Sequence, residues 1–341
     1  MWQRLHLDFA FLFFSATVAG QDQPCEVDVP LNVVLPDAAL VRKISPDGFM
    51  ARQGGELLTI RSVSVDTAPR RVVLVAENGK DVNPAARKVE ASVLEAMVTT
   101  ARAEDSFAML TSGGRRKELR FGTPRDALLS DIHELSSPSA GKSQGNSALD
   151  AVLEAAGWLQ PSQPGDSILL LTMGLEPGGG SGYGKARKTL TAAGIRLFGF
   201  QLGRLYLGIY SVGLAPSPGG PIGFPTGVLL PSARIDPNRE TIFDLGDETG
   251  GFFVEENTEG DAQKRYQLTD ELLRVLNKRA GQLYKAIVEY YGIRLAAAPK
   301  GFAVDLTDAL RQQLPAARVI YPREMPRCSG GSGVNPSPDR P

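Results

Sequence analysis

The sequence predicts an α/β fold, with a doubly wound, mainly parallel sheet and a small β unit formed by its N- and C-terminal segments. Two short apolar runs, Val72–Ala76 and Ile168–Thr172, have the length and composition of fully buried strands. Strand patterns alternate with helix patterns between them, which is typical of a parallel sheet with helices on both faces. The 341 residues are enough to bury a sizeable core.

The first half of the chain begins with an alternating, Val-rich pattern from Val27 to Val65 that is broken by turn signals and predicts a short antiparallel β unit. After the first apolar run, Asn83-Pro84 is a helix start, because Pro is favoured at the first helical position. Strands are predicted at Phe107–Ser112 and Lys117–Gly122. Helices are predicted from Pro124 to about Leu135 and from Asn146 or Ser147 to Leu159.

The second half continues the alternation and then returns to a β pattern. After the strand that ends at Thr172, the predicted elements are a helix at Gly184–Gly194, a strand at Ile195–Gly203, a short strand at Phe252–Glu255 and a helix from about Lys264 to Tyr290. The tail segments IRLAA, FAVDL and ARVIYP read as strands. The stretch 204–237 is rich in Gly, Pro and Ser, and such a long insertion is either functional or a solvated loop.

The two ends of the chain have features of an exported protein. Arg4, the apolar stretch Phe9–Phe14 and the small residues that follow predict a signal peptide at residues 1–20. We expect a β module at 26–66, an α/β domain at 69–291, a C-terminal β segment at 292–328 and a disordered tail at 329–341. Cys25 and Cys328 predict a disulfide between the ends, and two free thiols are the alternative.

The overall charge gives no reason to expect a nucleic-acid partner. Lys and Arg number 37 against 38 Asp and Glu, which leaves a net charge of −1. After the apolar segment at the start, no run reaches the roughly 20 apolar residues that a membrane span requires. These observations favour a soluble exported protein.

Catalytic motifs are scarce. The chain has 2 histidines, and His133 lies on a predicted helix surface, so neither a Ser-His-Asp triad nor a histidine metal site is expected. Gly179–Lys185 matches the GxxxxGK pattern of a phosphate loop, but Ala186 stands where a Ser or Thr would hold Mg²⁺. We therefore predict no enzyme activity and no cofactor.

The order of the segments resembles that of the bacterial VWFA-related proteins, which carry a von Willebrand factor A-type domain behind a short β module. The segments that carry the resemblance are ISPDGFMARQGGELLTIRSV, RRVVLVAEN, EDSFAML, RDALL, GNSALDAVLEAA, ILLLTMG, RLFGFQLG, ETGGFFVEENT and YKAIVEYYGIRL. Together they extend over nearly all of the chain that follows the predicted signal peptide. The resemblance implies a von Willebrand factor A-like sheet.

Family members with a working site hold a divalent cation through Asp-x-Ser-x-Ser after the first strand, a Thr on a second loop and an Asp after the fourth strand. Oxygen ligands of this kind suit Mg²⁺. Here either Ala76 or Glu77 takes the first Asp position, Ser147 stands in for the Thr, and Met173 replaces the last Asp with a soft thioether. The degenerate positions are Ala76, Glu77, Asn78, Gly79, Lys80, Asp81, Ser147 and Met173. The resemblance thus implies a degenerate site without a metal ion.

From these features we expect a non-enzymatic protein–protein interaction module with an unknown protein partner. Its interaction face should lie on the loops after the carboxyl ends of the strands. The candidate residues are Glu77, Asp81, Ser147, Tyr183, Tyr206, Tyr210 and Phe224. The alternatives are cation-dependent binding through a rearranged site of Glu77, Asp81 and Ser147, a P-loop-like nucleotide-binding enzyme, and an envelope component with no discrete ligand.

Overall fold

The computed structural model describes residues 26–78, 84–112, 116–137, 147–172, 181–201, 241–255, 269–296 and 301–325. The strands are β1 (Glu26–Val34), β2 (Phe49–Gln53), β3 (Glu56–Leu57), β4 (Ile60–Asp66), β5 (Arg71–Glu77), β6 (Ser106–Ser112), β7 (Glu118–Leu119), β8 (Ser167–Thr172), β9 (Arg196–Gln201), β10 (Phe253–Glu255), β11 (Tyr290–Ala296), β12 (Phe302–Leu306) and β13 (Arg318–Ile320). The helices are α1 (Pro84–Thr100), α2 (Arg125–Leu135), α3 (Ala148–Trp158), α4 (Ser181–Ala193), α5 (Ile242–Glu248), α6 (Asp270–Val288) and α7 (Asp308–Gln313).

Six strands form the central sheet, in the order β7-β6-β5-β8-β9-β10. All pairs are parallel except β6 with β7, which is antiparallel at one edge. Counted from β5 within this sheet, the strand order is 3-2-1-4-5-6, the order of a doubly wound fold. The strand order reverses between β5 and β8, so the ligand crevice of such a fold is expected above these two strands.

The central strands are buried because helices cover both faces of the sheet. Val72, Leu74 and Ala76 of β5 pack in one apolar cluster with α1, α2 and α6. Val73 and Val75, which alternate with them along the strand, pack on the other side with α3 and α4. The continuous apolar runs of the sequence thus reflect strands that are buried on both faces, as predicted.

The chain ends meet in the small β unit, which has two sheets packed around a separate apolar core. One sheet has the order β13-β1-β11-β4, and the other has the order β12-β2-β3. In the first sheet, β1 lies antiparallel to β11, with Leu31 opposite Tyr291. In the second, β2 lies antiparallel to β12. The predicted β unit formed by N- and C-terminal segments is therefore confirmed, whereas the domain boundaries stay a prediction.

A buried arginine joins the β unit to the α/β domain. Arg196, at the start of β9, has no exposed surface, and its guanidinium donates to Ile287 O at 2.6 Å and to Asn32 Oδ1 at 3.3 Å. The guanidinium also stacks on the Tyr290 ring, 4.3 Å from its centroid, and Arg70 contacts the same ring at 4.6 Å. Burial lowers the pKa of Arg196 to about 10, so it stays protonated at neutral pH.

The sequence prediction differs from the structure at the C-terminal end in one helix boundary and in one helix that was not predicted. Helix α6 ends at Val288, and Tyr290 already begins β11, so the helix predicted to reach Tyr290 is too long. Val288 and Tyr290 are both buried, and an apolar helix end followed by an apolar strand leaves no composition break in the sequence. The short helix α7 was not predicted, whereas His133 lies exposed on α2 as expected. Among the helices described here, none is long and apolar enough to cross a membrane.

Candidate functional site

The candidate site lies where β5 and β8 end side by side, at the point where the strand order reverses. Ala76 of β5 is opposite Leu171 of β8, so the next residues, Glu77 and Thr172, are neighbours at the carboxyl edge. Thr172 is 1% exposed, and Glu77 is half-buried. The polar side chains at this crevice are therefore the candidate ligand-binding groups of the fold.

A hydrogen bond joins the two strand ends. Thr172 Oγ1 donates to Glu77 Oε1 at 2.6 Å. This distance is typical of a hydroxyl that donates to an ionised carboxylate. One carboxylate oxygen of Glu77 is thus engaged inside the protein.

The structure distinguishes the two registers of the first metal motif. Ala76 is fully buried and packs in the apolar cluster that includes α1. Glu77 follows it on the opposite face of the strand and lies at the edge. Glu77, and not Ala76, therefore occupies the place of an edge carboxylate.

Asn78 closes the end of β5 on its other side. Its backbone N–H donates to Ser112 O of β6 at 2.7 Å. The Asn78 side chain is 6% exposed, and its Oδ1 has no hydrogen-bond partner among the described residues. A buried acceptor without a protein partner favours a hydrogen bond from water or from a ligand at the crevice.

A buried carboxyl lies beneath this edge. Glu90 on α1 is 2% exposed, and its Oε1 also has no hydrogen-bond partner among the described residues. Burial raises the pKa of Glu90 well above its ordinary value, and the charge of Glu77 raises it further. A hydrogen bond from the Glu77 backbone N–H and the charge of Arg87 act in the opposite direction. Glu90 is therefore a candidate for a protonated carboxyl at neutral pH.

Ser147 is used as a helix cap. Its Oγ accepts from the backbone N–H of Asp150 at 3.1 Å, and the Asp150 carboxylate accepts from Ser147 N at 3.3 Å. This capping box fixes the start of α3. The oxygen predicted to stand in for the Thr ligand is thus engaged with the helix.

Tyr183 was predicted as an interaction residue, and this prediction is wrong. Its side chain is 1% exposed and packs in the apolar cluster between the sheet and α3 and α4. The reason is local, because α4 begins at Ser181 and turns Tyr183 toward the sheet. The same helix takes up the part of the GxxxxGK pattern from Ser181 onward, and Lys185 is exposed on it. A phosphate loop would need these residues in a loop that precedes the helix.

Several predicted site residues lie outside the described residues, and their predictions stay open. They are Gly79, Lys80, Asp81, Met173, Tyr206, Tyr210, Phe224, Cys25 and Cys328. Within the described ranges, His, Cys, Asp and Glu side chains form no group of three or more that could hold a metal ion. Of the candidate positions, the structure thus brings Glu77 and Asn78 to the edge.

Sequence reasoning missed Glu90 and Thr172. Glu90 had a signal, because it lies four residues after Ala86 and four before Leu94, on the apolar face of α1. A charged residue on such a face is rarely fully buried without a partner. Thr172 read only as the last residue of a strand, since its contact with Glu77 depends on the register between β5 and β8.

No protein-family model matches the sequence, and no curated protein matches it either. Solved structures that are similar to the chain include an aerotolerance-related membrane protein from Bacteroides fragilis, with 17% identity, 61% of this chain and 98% of the other covered, and a TM-score of 0.37. A von Willebrand factor type A protein from Catenulispora acidiphila has 10% identity over 76% of this chain and 52% of the other, with a TM-score of 0.38. BatB from Bacteroides thetaiotaomicron has 16% identity over 62% and 98%, with a TM-score of 0.35.

All three TM-scores are low, and the fold assignment rests on this chain itself. The doubly wound strand order, the antiparallel edge strand β7 and the helix layers on both faces define the class. The α/β domain is doubly wound, as the sequence predicted, and its strand order agrees with the von Willebrand factor A-like sheet that the sequence resemblance implies.

Proposed function

We propose that this protein is an exported, non-enzymatic protein–protein interaction module that binds its partner at the carboxyl edge of the sheet without a metal ion. The hydrogen bond from Thr172 to Glu77 is the observation that carries the proposal. This bond directs a carboxylate oxygen of Glu77 toward the protein, whereas a metal-dependent adhesion site of this fold would direct such an oxygen toward the ion.

Two further groups support a crevice without a metal ion. Ser147 Oγ caps α3, and the raised pKa of Glu90 favours a neutral carboxyl over a charged ligand. In the sequence, Met173 adds a thioether where a hard cation requires oxygen. Together with the engaged carboxylate of Glu77, these side chains leave polar groups at the edge, which suit hydrogen bonds to a protein partner.

Export is the second part of the proposal. It is supported by the signal-like start of the sequence and by the expected disulfide between Cys25 and Cys328. Cell fractionation of the producing bacterium tests it, and a product that stays in the cytoplasm contradicts it. Intact-mass analysis of the exported protein with thiol labelling tests the disulfide.

The experiment on metal dependence uses the chain alone before any partner. Isothermal titration with MgCl₂ and with MnCl₂ is expected to give no binding heat, and the melting temperature should be equal in EDTA and in Mg²⁺. A protein partner is then captured from the exported fraction in EDTA, and its affinity is measured in EDTA and in Mg²⁺. Equal affinity is the expected result. Loss of binding in EDTA that Mg²⁺ restores would favour the rearranged cation site instead.

Hydrogen exchange locates the binding face once a partner is available. Backbone amides at the carboxyl edge, including Asn78 and Asp150, are expected to gain protection on binding. Amides at the opposite edge of the sheet, such as Asp105 and Asp166, provide the control and should not change. Protection at the opposite edge alone would place the binding face elsewhere on the protein.

A further inference from the structure

The small β unit has a free edge at β4. This strand is the last in the order β13-β1-β11-β4, and among the described residues it pairs with β11 alone. It is 7 residues long, whereas edge strands are commonly kept short because their unpaired backbone groups can recruit another strand. A further strand can therefore pair with β4 and extend the sheet.

The apolar side chains of this edge are incompletely covered. Val63 and Val65 lie opposite Ile293 and Tyr291, which belong to the core of the β unit, so both valines are on the inner face. Val65 is nevertheless 58% exposed. Ile60 and Val63 pack against the core of the β unit, so the inner face of β4 is left uncovered at its Val65 end.

A second exposed apolar side chain lies in β3, which precedes β4 in the sequence and belongs to the other sheet. Leu57 of β3, at the edge of the three-stranded sheet, is 68% exposed. Leu57 and Val65 are the two large apolar residues that are exposed in the described part of the chain, and both belong to strands at a free edge of the β unit. The large exposed apolar side chains of the described residues thus belong to two edge strands of the β unit.

The sequence of β4 is self-complementary in one antiparallel register. With a twofold axis through Ser64, Val63 faces Val65 of the other copy, and Ser62 faces its Asp66. Each apolar residue then faces an apolar one, and each polar residue faces a polar one. Moving the axis to Val63 would set Ile60 against Asp66.

Charge and strand irregularity favour the same arrangement. Arg61 lies near one end of β4 and Asp66 at the other, so antiparallel pairing brings unlike charges toward each other and parallel pairing brings like charges together. The ladder with β11 is interrupted at Arg61, which has no counterpart opposite it and marks the end of the regular strand. With a net charge of −1, two copies do not repel each other strongly.

We propose that β4 binds β4 of a second copy of this chain in an antiparallel register centred on Ser64, which joins the two four-stranded sheets into one. Five residues of each chain, from Ser62 to Asp66, form the pairing. This contact is smaller than a standard protein interface, so the dimer is in exchange with monomer and depends on concentration.

Cysteine cross-linking on the full chain tests the register. In Ser64→Cys, the twofold axis places the two thiols opposite each other, and the Cα atoms of facing residues lie about 4.5–5.5 Å apart, within the range of a disulfide. Ser62→Cys is the matched control, because it is exposed on the same face of the same strand, but its two copies would lie about 13 Å apart along the strand. Under mild oxidation, the Ser64→Cys dimer should form on the order of tenfold faster, since an oriented pair raises the effective concentration.

Sedimentation velocity over a concentration series tests the dimer without cysteine variants. The unchanged chain should show a dimer that Val65→Lys abolishes, while the melting temperature of Val65→Lys stays near that of the parent because the side chain is already exposed. Equal cross-linking of the two cysteine variants, faster cross-linking of Ser62→Cys, or a parent chain that stays monomeric overturns the proposal. In the last case, the edge is left to a different extended partner.

Discussion

The buried carboxyl of Glu90 makes the stability of this protein depend on pH. Burial raises the pKa of Glu90 in the folded chain, whereas in the unfolded chain it titrates near its ordinary value of about 4.3. At a pH below that value, Glu90 is protonated in both states, and its ionisation does not lower the free energy of unfolding. As the pH rises, the unfolded chain loses this proton first, so the folded state loses stability until the pH passes the folded-state pKa.

Glu90→Gln removes this dependence with little change in shape, because the amide is neutral at every pH and keeps an oxygen to accept from the Glu77 N–H. Since burial raises the pKa of Glu90 well above its ordinary value, the free energy of unfolding of Glu90→Gln at pH 8 should clearly exceed that of the parent.

The measurement is urea denaturation, followed by circular dichroism, at pH values from about 4 to 8, a range chosen to start near the ordinary Glu pKa. The two proteins should agree at the acid end and diverge as the pH rises. Glu95→Gln is the matched control on the same helix, because Glu95 is exposed. If the parent and Glu90→Gln give parallel curves over the whole range, Glu90 is charged in the folded protein and the reasoning is refuted.

Three further stability predictions use the same denaturation assay. Ser147→Ala should cost about 1 kcal/mol through loss of the α3 cap, and Ser147→Asp should restore most of it; equal stability of all three would contradict the capping role. Gly251→Ala should cost roughly 2 kcal/mol, because its Cβ would lie 1.9 Å from Leu197 O, while Gly281→Ala, with no atom within 4 Å, should be neutral or stabilising. Arg196→Met should cost on the order of 3 kcal/mol by leaving two buried acceptors unpaired, and a neutral result would show that they find water.

The fold was largely predictable because its signals are local. The runs around Val72 and Ile168 are apolar on both faces, and only strands at the centre of a covered sheet require that. Pro124 and Ser147 fixed the starts of two helices through their own backbone and capping chemistry. The order of such segments along the chain was enough to predict the doubly wound class.

The candidate site was less predictable because its contacts join distant parts of the chain. Glu77 and Thr172 are 95 residues apart, and their hydrogen bond depends on the register between two strands. Tyr183 was misplaced because the Gly-rich sequence around it suggested a loop, whereas burial of its ring and of Ala186 holds those residues in α4. Tertiary burial outweighed local propensity at this position.

The pairing of β1 with β11 determines when the β unit can form. Leu31 of β1 pairs with Tyr291 of β11, which follows it by 260 residues in the sequence. The other neighbour of β1 in the sheet, β13, comes later still. All strands of the six-stranded sheet precede β11, so a chain that emerges N-terminus first can complete that sheet while β1 is still unpaired. Pairing β1 with β11 also closes a long loop, which costs conformational entropy. The β unit is therefore expected to form last, and removing a strand from either end of the chain would leave its four-stranded sheet incomplete.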